Sequence, residues 1–441
     1  MLSVLAHHAY RRLLAAQVVA LLGTGLLTVA LGLLAYDLAG EAAGAVLGTA
    51  LAIKMVAYVV VAPVAQAFAE RLPRRGLLVT LDLVRAAIAL GLPFVTEIWQ
   101  VYALILALQS ASAAFTPAFQ ATIPDLLPDE RDYTRALSLS RLAYDLESLV
   151  SPMLAAAFLT VVSFHDLFAG TVAGFLVSAA LVARVALPAA RPADRKAGPR
   201  RSIWDRTTRG VRLYLAVPRL RGLLALNLAA AAGGAMVIVN TVVLVKGMGW
   251  GEREVALALA AFGGGSMLAA LGLPRLLDRW GDRRAMLGGA GLLTAGLAAG
   301  AAAPGYGALL ALWAVVGLGY SAILTPSGRL LRRSSGAEDR PALFAAQFAL
   351  SHAGWLVAYP LAGQLGARIG LGATAAAMAA LAAGATLLAV RLWPAGAEAP
   401  LPHDHPDLPP DHPHLREHGA GPRHAHPPLA DPLHPGWARA A

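Results

Sequence analysis

Long, unbroken apolar runs organise this chain. The first extends from about Leu13 to Tyr36. Others follow near 43–69, 77–96, 101–121, 139–161, 167–187, 222–245, 254–274, 285–303, 306–328, 342–366 and 370–392. Each is close to the roughly 20 residues a helix needs to cross a bilayer. The runs are continuous and do not alternate, so they predict helices and exclude a membrane β-barrel. Arg11 and Arg12 ahead of the first run have the outline of a signal segment. That run is too long for a signal core and further runs follow, so it is read as the first of twelve spans.

Charge then orients the bundle. Basic residues gather after spans 2, 4, 6, 8 and 10 and at both termini, while the opposite loops hold only Lys246, Arg253 and Arg368. Counting positive charges places both termini in the cytoplasm. The longest internal connection, 188–221, is strongly basic yet holds Ile203, Trp204, Val211, Leu213, Tyr214 and Leu215. This predicts a short amphipathic helix on the inner leaflet. Composition agrees: 57% of residues are hydrophobic, 14% are charged, and mean hydropathy is +0.60. That excludes an ordinary soluble enzyme, a nucleic-acid binder and a disordered chain. The net charge of +10 follows from basic inner loops. With no cysteine there are no disulfides, thiolate metal sites or cysteine nucleophiles.

The chain repeats itself. Glu70-Arg71-Leu72-Pro73-Arg74-Arg75 after span 2 is answered by Asp278-Arg279-Trp280-Gly281-Asp282-Arg283-Arg284 after span 8, at an offset of 208 residues. Pro152 answers Pro360 at the same offset, and Thr116-Pro117 answers Thr325-Pro326 at 209. Common offsets mark duplicated halves. Parallel six-span halves suit alternating access around a midplane site.

With that turn, its copy and the 6+6 layout, residues 10–393 resemble the major facilitator superfamily. The family turn reads Gly-x-x-x-Asp-Arg-x-Gly-Arg-Arg. The first copy departs at Gln66, Glu70 and Pro73; the second keeps Asp278, Arg279, Gly281, Arg283 and Arg284, with Asp282 inserted. The antiporter pattern on span 5 keeps Pro152 but has Ser151, Ala155 and Ala156 where glycines are usual. The resemblance implies an all-α polytopic membrane protein of two six-helix, pseudo-symmetric halves. Residues 1–187 form one half, 188–221 the linker, 222–393 the second half and 394–441 a tail. It also implies gating by Glu70, Arg71, Arg74 and Arg75, and by the second copy, through charge-assisted bonds; topology control by the same charges is the plainer role.

Ionisable residues inside spans carry a cost and need a reason. Asp82 and Arg85 are i,i+3 neighbours and read as a structural ion pair. Asp145 and Glu147 on span 5 are candidates for cation or proton binding; ion pairing with Arg141 or Lys54 is the equal alternative. Lys54 repels a cation and so reads as a carboxylate's partner. His352, at the repeat position of Tyr144, is a candidate ligand or proton carrier beside the commoner helix-packing role. Gln109, Gln120, Asn227, Asn240 and Gln347 read first as interhelical hydrogen-bonders and second as cavity ligands. No nucleotide loop or hydrolytic triad is present, so no enzyme is expected.

After Pro394 the composition turns to Pro, His, Asp, Ala and Gly, which cannot build a core and predicts disorder. Eight of the twelve histidines lie there: His403, His405, His412, His414, His418, His424, His426 and His434. The His-x-His spacings put imidazoles on one side of an extended chain, fit to bind Ni²⁺, Co²⁺ or Zn²⁺. A solvated low-complexity tail or an affinity tag is the plainer alternative. A facilitator body with such a tail is similar to the nickel-resistance exporters. Residues 115–125 and 138–148 also look like that group. The resemblance implies efflux of Ni²⁺, and secondarily Co²⁺, from the bacterial cytoplasm across the inner membrane, driven by protons. A monomer with no resident cofactor, set in lipid, is expected. Export of drugs, siderophores or other organic compounds is the alternative, and a non-transporting metal sensor is a third reading.

Overall fold

A computed structural model of the chain describes residues 2–69, 73–127, 129–185, 203–302, 305–334, 340–396, 401–406, 408–409, 415 and 423–426. Glu70, Arg71, His412, His414, His418 and His434 lie outside the described residues, as do the side chains of Asp145, Asp278 and His426.

The apolar runs fold as helices. They are α1 (His8–Ala39), α2 (Ala43–Ala69), α3 (Arg74–Gly91), α4 (Ile98–Leu126), α5 (Glu130–Phe158) and α6 (Phe164–Ala183) in the first half. A linker helix, α7 (Ile203–Ala216), precedes the second half. That half comprises α8 (Pro218–Gly247), α9 (Glu252–Gly300), α10 (Tyr306–Leu324), the short α11 (Ser327–Arg333), α12 (Arg340–Ile369) and α13 (Leu371–Leu392). Nine described stretches are long and apolar enough to cross a membrane on their own, and His8–Val61 holds both α1 and α2. The outer faces confirm the setting. Leu268, Leu271 and Leu387 are all at least 65% exposed, a fault in water but the expected contact with lipid. Twelve crossings result, α9 counting as two, and they form two six-helix halves. The chain enters and leaves at the same end, called here the terminal end; the opposite end is the far end.

Two local features depart from the sequence reading. Spans 8 and 9 were expected as separate helices joined by a loop, but α9 runs through both and breaks only at Gly281 (φ 73°, ψ 166°). A residue with a side chain is strained in that left-handed conformation, so the glycine of the turn makes the abrupt join. Thr325-Pro326 interrupts the second half between α10 and α11, whereas α4 continues through Pro117. A prolyl nitrogen has no proton to donate, which favours a break at either place.

The linker helix is amphipathic, as its pattern predicts, but its apolar face rests on protein where leaflet contact was expected. Gly210 lies so close to the Ala342 backbone that any side chain would collide. Tyr214 is fully buried and donates a 2.5 Å hydrogen bond to Gln347 Oε1 on α12. Burial pushes its hydroxyl well above the usual phenol range. α7 thus fastens the linker to the terminal end of α12.

The tail also departs from expectation in part. Leu401–Asp404 (β1) pairs antiparallel with Arg423–His426 (β2), with His403 opposite His424. A lone two-stranded ladder is marginal in water. Here the Asp404 and Arg423 charges at the open end, 4.0 Å apart, add a weak attraction.

The halves meet most closely at the far end. Gly44 and Gly48 on α2 abut Tyr359 and Gly363 on α12, backbone against backbone. Small residues at a membrane helix crossing permit this approach, where there is no hydrophobic drive to bring helices together. Above them the Lys246 ammonium lies 6.0 Å from the Tyr36 ring, joining α8 to α1. Replacing Gly363 with Leu should hold the two helices apart. The expected cost is about 1–3 kcal/mol, the usual penalty of overpacking. It would appear as a lowered melting temperature of the detergent-purified protein, whereas an unchanged melting temperature would show that the crossing does not need glycine.

Candidate functional site

Polar groups collect where α2, α5 and α12 converge at mid-depth. α5 brings Tyr144 and Glu147, one helical turn apart. Gly25 on α1 leaves room for Ser151 and for the Glu147 side chain, and a Cβ there would overlap the Ser151 hydroxyl. Pro152 follows at once, inside the helix. Lys54 on α2 is the cation that acts on Glu147, and both are half-buried. The two charges attract across a gap, and no salt bridge joins them among the described residues.

One turn further along α2, Tyr58 bridges the halves. Its ring lies 6.0 Å from that of His352 and nearly parallel to it, at 18°. Tyr58 and Tyr144 both reach the Thr116 hydroxyl, which donates a 3.1 Å bond to the Ser112 carbonyl. A hydroxyl offers one donor and two acceptor sites, so Thr116 can serve all three groups. His352 and Tyr144, related by the repeat, thus flank Tyr58 from opposite halves. On His352 the Nδ1 atom lies 2.7 Å from the Phe348 carbonyl. That bond selects the Nδ1–H tautomer and leaves Nε2 with a free lone pair.

Aromatic rings complete the region, and the sequence reading missed most of them. Phe348, His352, Trp355 and Tyr359 recur at helical spacing and share a face of α12. Trp355 meets Tyr359 at 4.8 Å and Tyr320 of α10 at 6.2 Å, and Tyr320 meets Phe262 of α9 at 5.3 Å. The α12 spacing was visible in the sequence. The rings from α2, α9 and α10 were not, because only the fold brings them together.

Asp82 and Arg85 form the ion pair read from their spacing, inside the first half and near Tyr58 and Tyr144. Asp82 is fully buried and accepts a 2.7 Å bond from Ser178 on α6. The Arg85 guanidinium is stacked between Phe115, at 4.1 Å, and Phe175, at 4.5 Å. This unit ties α3 to α4 and α6.

In the second copy of the family turn the working carboxylate is Asp282. Arg329 and Arg333, one turn apart on α11, both donate to it; the Arg329 Nε bond is 2.9 Å and the Arg333 bond 3.1 Å. Arg219 on α8 donates to Ser334 at 2.8 Å and to the Arg333 carbonyl at 2.7 Å. Arg283 donates to the Trp393 carbonyl at 2.6 Å, while Arg279 and Arg284 are exposed. All these bonds lie within the second half. Asp282 had been passed over as an insertion; an acidic residue straight after a turn glycine and opening a helix was the available signal. In the first copy Pro73 caps α3, Arg74 is half-buried and Arg75 is exposed.

In the tail, His403, His405 and His424 bring one ring nitrogen each within 4.8 Å of one another. His403 lies on β1 with His424 across from it, and His405 follows just past the strand's end. Three imidazoles so placed can close on one borderline divalent ion.

These features coincide with what known proteins show. The family profile of the Major Facilitator Superfamily matches residues 13–272 and 223–437, and the chain belongs to that superfamily. It is a multi-pass membrane protein of the transporter type. An uncharacterised MFS-type transporter, YfiS of Bacillus subtilis (strain 168), is 26% identical over 124 residues, 28% of this chain; the match spans 30% of that relative's length. Among solved structures, the nucleoside transporter NupG superposes with a TM-score of 0.67 at 13% identity, over 88% of this chain and 99% of its own. A D-xylose–proton symporter gives 0.64 at 14%, over 87% and 98%. A bacterial homologue of the human lysosomal transporter Spinster, inward-facing and unoccupied, gives 0.64 at 11%, over 88% and 95%. At such identities the likeness is one of fold.

Asp82→Ala would leave the Arg85 charge buried without its counterion. The expected loss is about 3–5 kcal/mol of stability. Asp82→Leu combined with Arg85→Met should recover most of it, as read by thermal denaturation in detergent. A single variant as stable as the parent would mean that the pair is solvated.

Proposed function

We propose that this transporter exports divalent transition-metal cations, Ni²⁺ first and Co²⁺ next, in exchange for protons. It sits in a bacterial inner membrane with both termini in the cytoplasm. The observation that carries the metal assignment is the His403–His405–His424 cluster. Positive-inside counting supports the orientation, since the terminal end holds Arg279, Arg284, Arg332 and Arg333. The tail then lies where cytoplasmic metal is met, and a tethered binding site raises the local ion concentration at the mouth of the bundle. Glu147 and His352 are the groups that exchange metal or proton at mid-depth, and Lys54 occupies the carboxylate between turnovers. The halves rock about the α2–α12 crossing.

The aromatic face of α12 favours a second reading, export of a small organic solute with the tail regulatory. Cells carrying the His403→Ala/His405→Ala/His424→Ala chain separate the two. Losing metal ligands should weaken Ni²⁺ binding to the full-length protein by at least about tenfold, read by calorimetry. Nickel tolerance should fall without vanishing, and cellular nickel should rise. If the variant binds and tolerates nickel as the parent does, and deleting the gene leaves nickel content unchanged while sensitising cells to an organic compound, the organic reading replaces the metal one.

A further inference from the structure

We propose that Asn240 sets how readily the far end opens. While that end is closed, the amide oxygen is shut into a notch between the halves with no donor; opening gives it water. This holds whatever solute is carried.

Asn240 lies on α8, about two turns before the end of that helix at Gly247, and it is fully buried. Its sequence reading as an interhelical hydrogen-bonder describes half of the amide. Nδ2 donates a 3.1 Å bond to the Ala362 carbonyl on α12. That bond joins two helices of the second half and fixes which way the amide faces. Oδ1 is turned toward the first half. A Cβ on Gly44 of α2 would lie 2.5 Å from it, and one on Gly366 of α12 would lie 2.7 Å from it. The oxygen therefore fills the space left by two glycines, one from each half. Among the described residues no N–H or O–H reaches it. The glycines offer it only Cα–H groups, which are weak donors.

A carbonyl oxygen buried without a full hydrogen bond costs free energy, and the cost disappears once water reaches it. The bond to Ala362 stays within one half and is kept when the halves part. The burial of Oδ1 is not kept, because Gly44 belongs to the other half. Closed packing at Gly48 and Gly363 favours contact, and Asn240 opposes it at the same seam. The amide is not needed to fill space, since its neighbours along α8 include the buried apolar residues Met236, Val237 and Val243. A narrower gap between the closed and open forms is what a protein that must visit both requires.

The chain has no cysteine, so introduced cysteines are unique sites for spin labels. Glu41→Cys and Arg253→Cys place one label on each half at exposed far-end positions. Distances between the labels in the full-length, purified protein give the fraction with the far end open. Asn240→Leu should lower that fraction about tenfold. Gly44→Ala, whose methyl group meets only Oδ1 at close range, should raise it about tenfold. Adding Asn240→Ala to Gly44→Ala should abolish the rise, since the atom it strikes is gone. Should Asn240→Leu fail to fold, Asn240→Ala is read in its place. Should the parent be wholly closed, the Gly44→Ala effect with and without Asn240 decides. An open fraction unchanged or raised by loss of the oxygen from a measurable parent value overturns the inference. So does a Gly44→Ala effect of equal size in both backgrounds, or a single short distance in the parent and in Gly44→Ala alike.

Discussion

Within a bilayer every polar group must find its partner inside the protein, since no water is present to supply one. The helices meet that demand for the backbone, and three sets of opposed charges meet part of it for the side chains. Asp82 has Arg85 and Ser178. Asp282 has Arg329 and Arg333. Glu147 faces the charge of Lys54 without a direct bond to it. The first two are fixed by hydrogen bonds and join helices of one half. The third lies where the halves converge, and an unbonded charge of this kind is the one an incoming charge can disturb.

The crossing between halves follows from the same constraint. Two apolar surfaces in lipid gain nothing by leaving solvent, so close contact must come from packing. Gly44, Gly48 and Gly363 provide it, and the contact is the more intimate because backbone atoms touch. Such a contact is strong only at short range. The α2–α12 crossing therefore depends on residues small enough to let the backbones touch. The terminal end is built differently. There α7 binds α12 through Tyr214 and Gln347, and α11 is held by Asp282, so charged and polar bonds fix elements within the second half.

Much of the architecture was legible because it depends on run length and charge, two properties that survive without neighbours. The twelve crossings and the division into halves could be read directly. Other features depend on contacts distant in sequence. The pairing of residues 403 and 424 joins segments separated by prolines, and composition alone reads as disorder there. Gln347 reads as an interhelical hydrogen-bonder, but its partner, Tyr214, lies 133 residues away and only the fold shows it. Asp282 looked like an interruption of the family turn because the turn is recognised by spacing, whereas the structure uses it as the shared acceptor for two arginines. The ring cluster was half visible: its α12 component follows helical periodicity, but Tyr58 enters from 290 residues earlier than Phe348.

The hairpin and the bundle fix their imidazoles by different means. In the tail, strand pairing sets His403 across from His424, and His405 completes a group whose ring nitrogens lie within 4.8 Å of one another. In the bundle the His352 ring is held by stacking against Phe348 and Tyr58 and by the bond from its Nδ1 atom to the Phe348 carbonyl. Phe348 belongs to the same helix as His352, but Tyr58 belongs to the other half. Stacking falls away within a few ångströms, so the Tyr58–His352 contact depends on how the two halves are set.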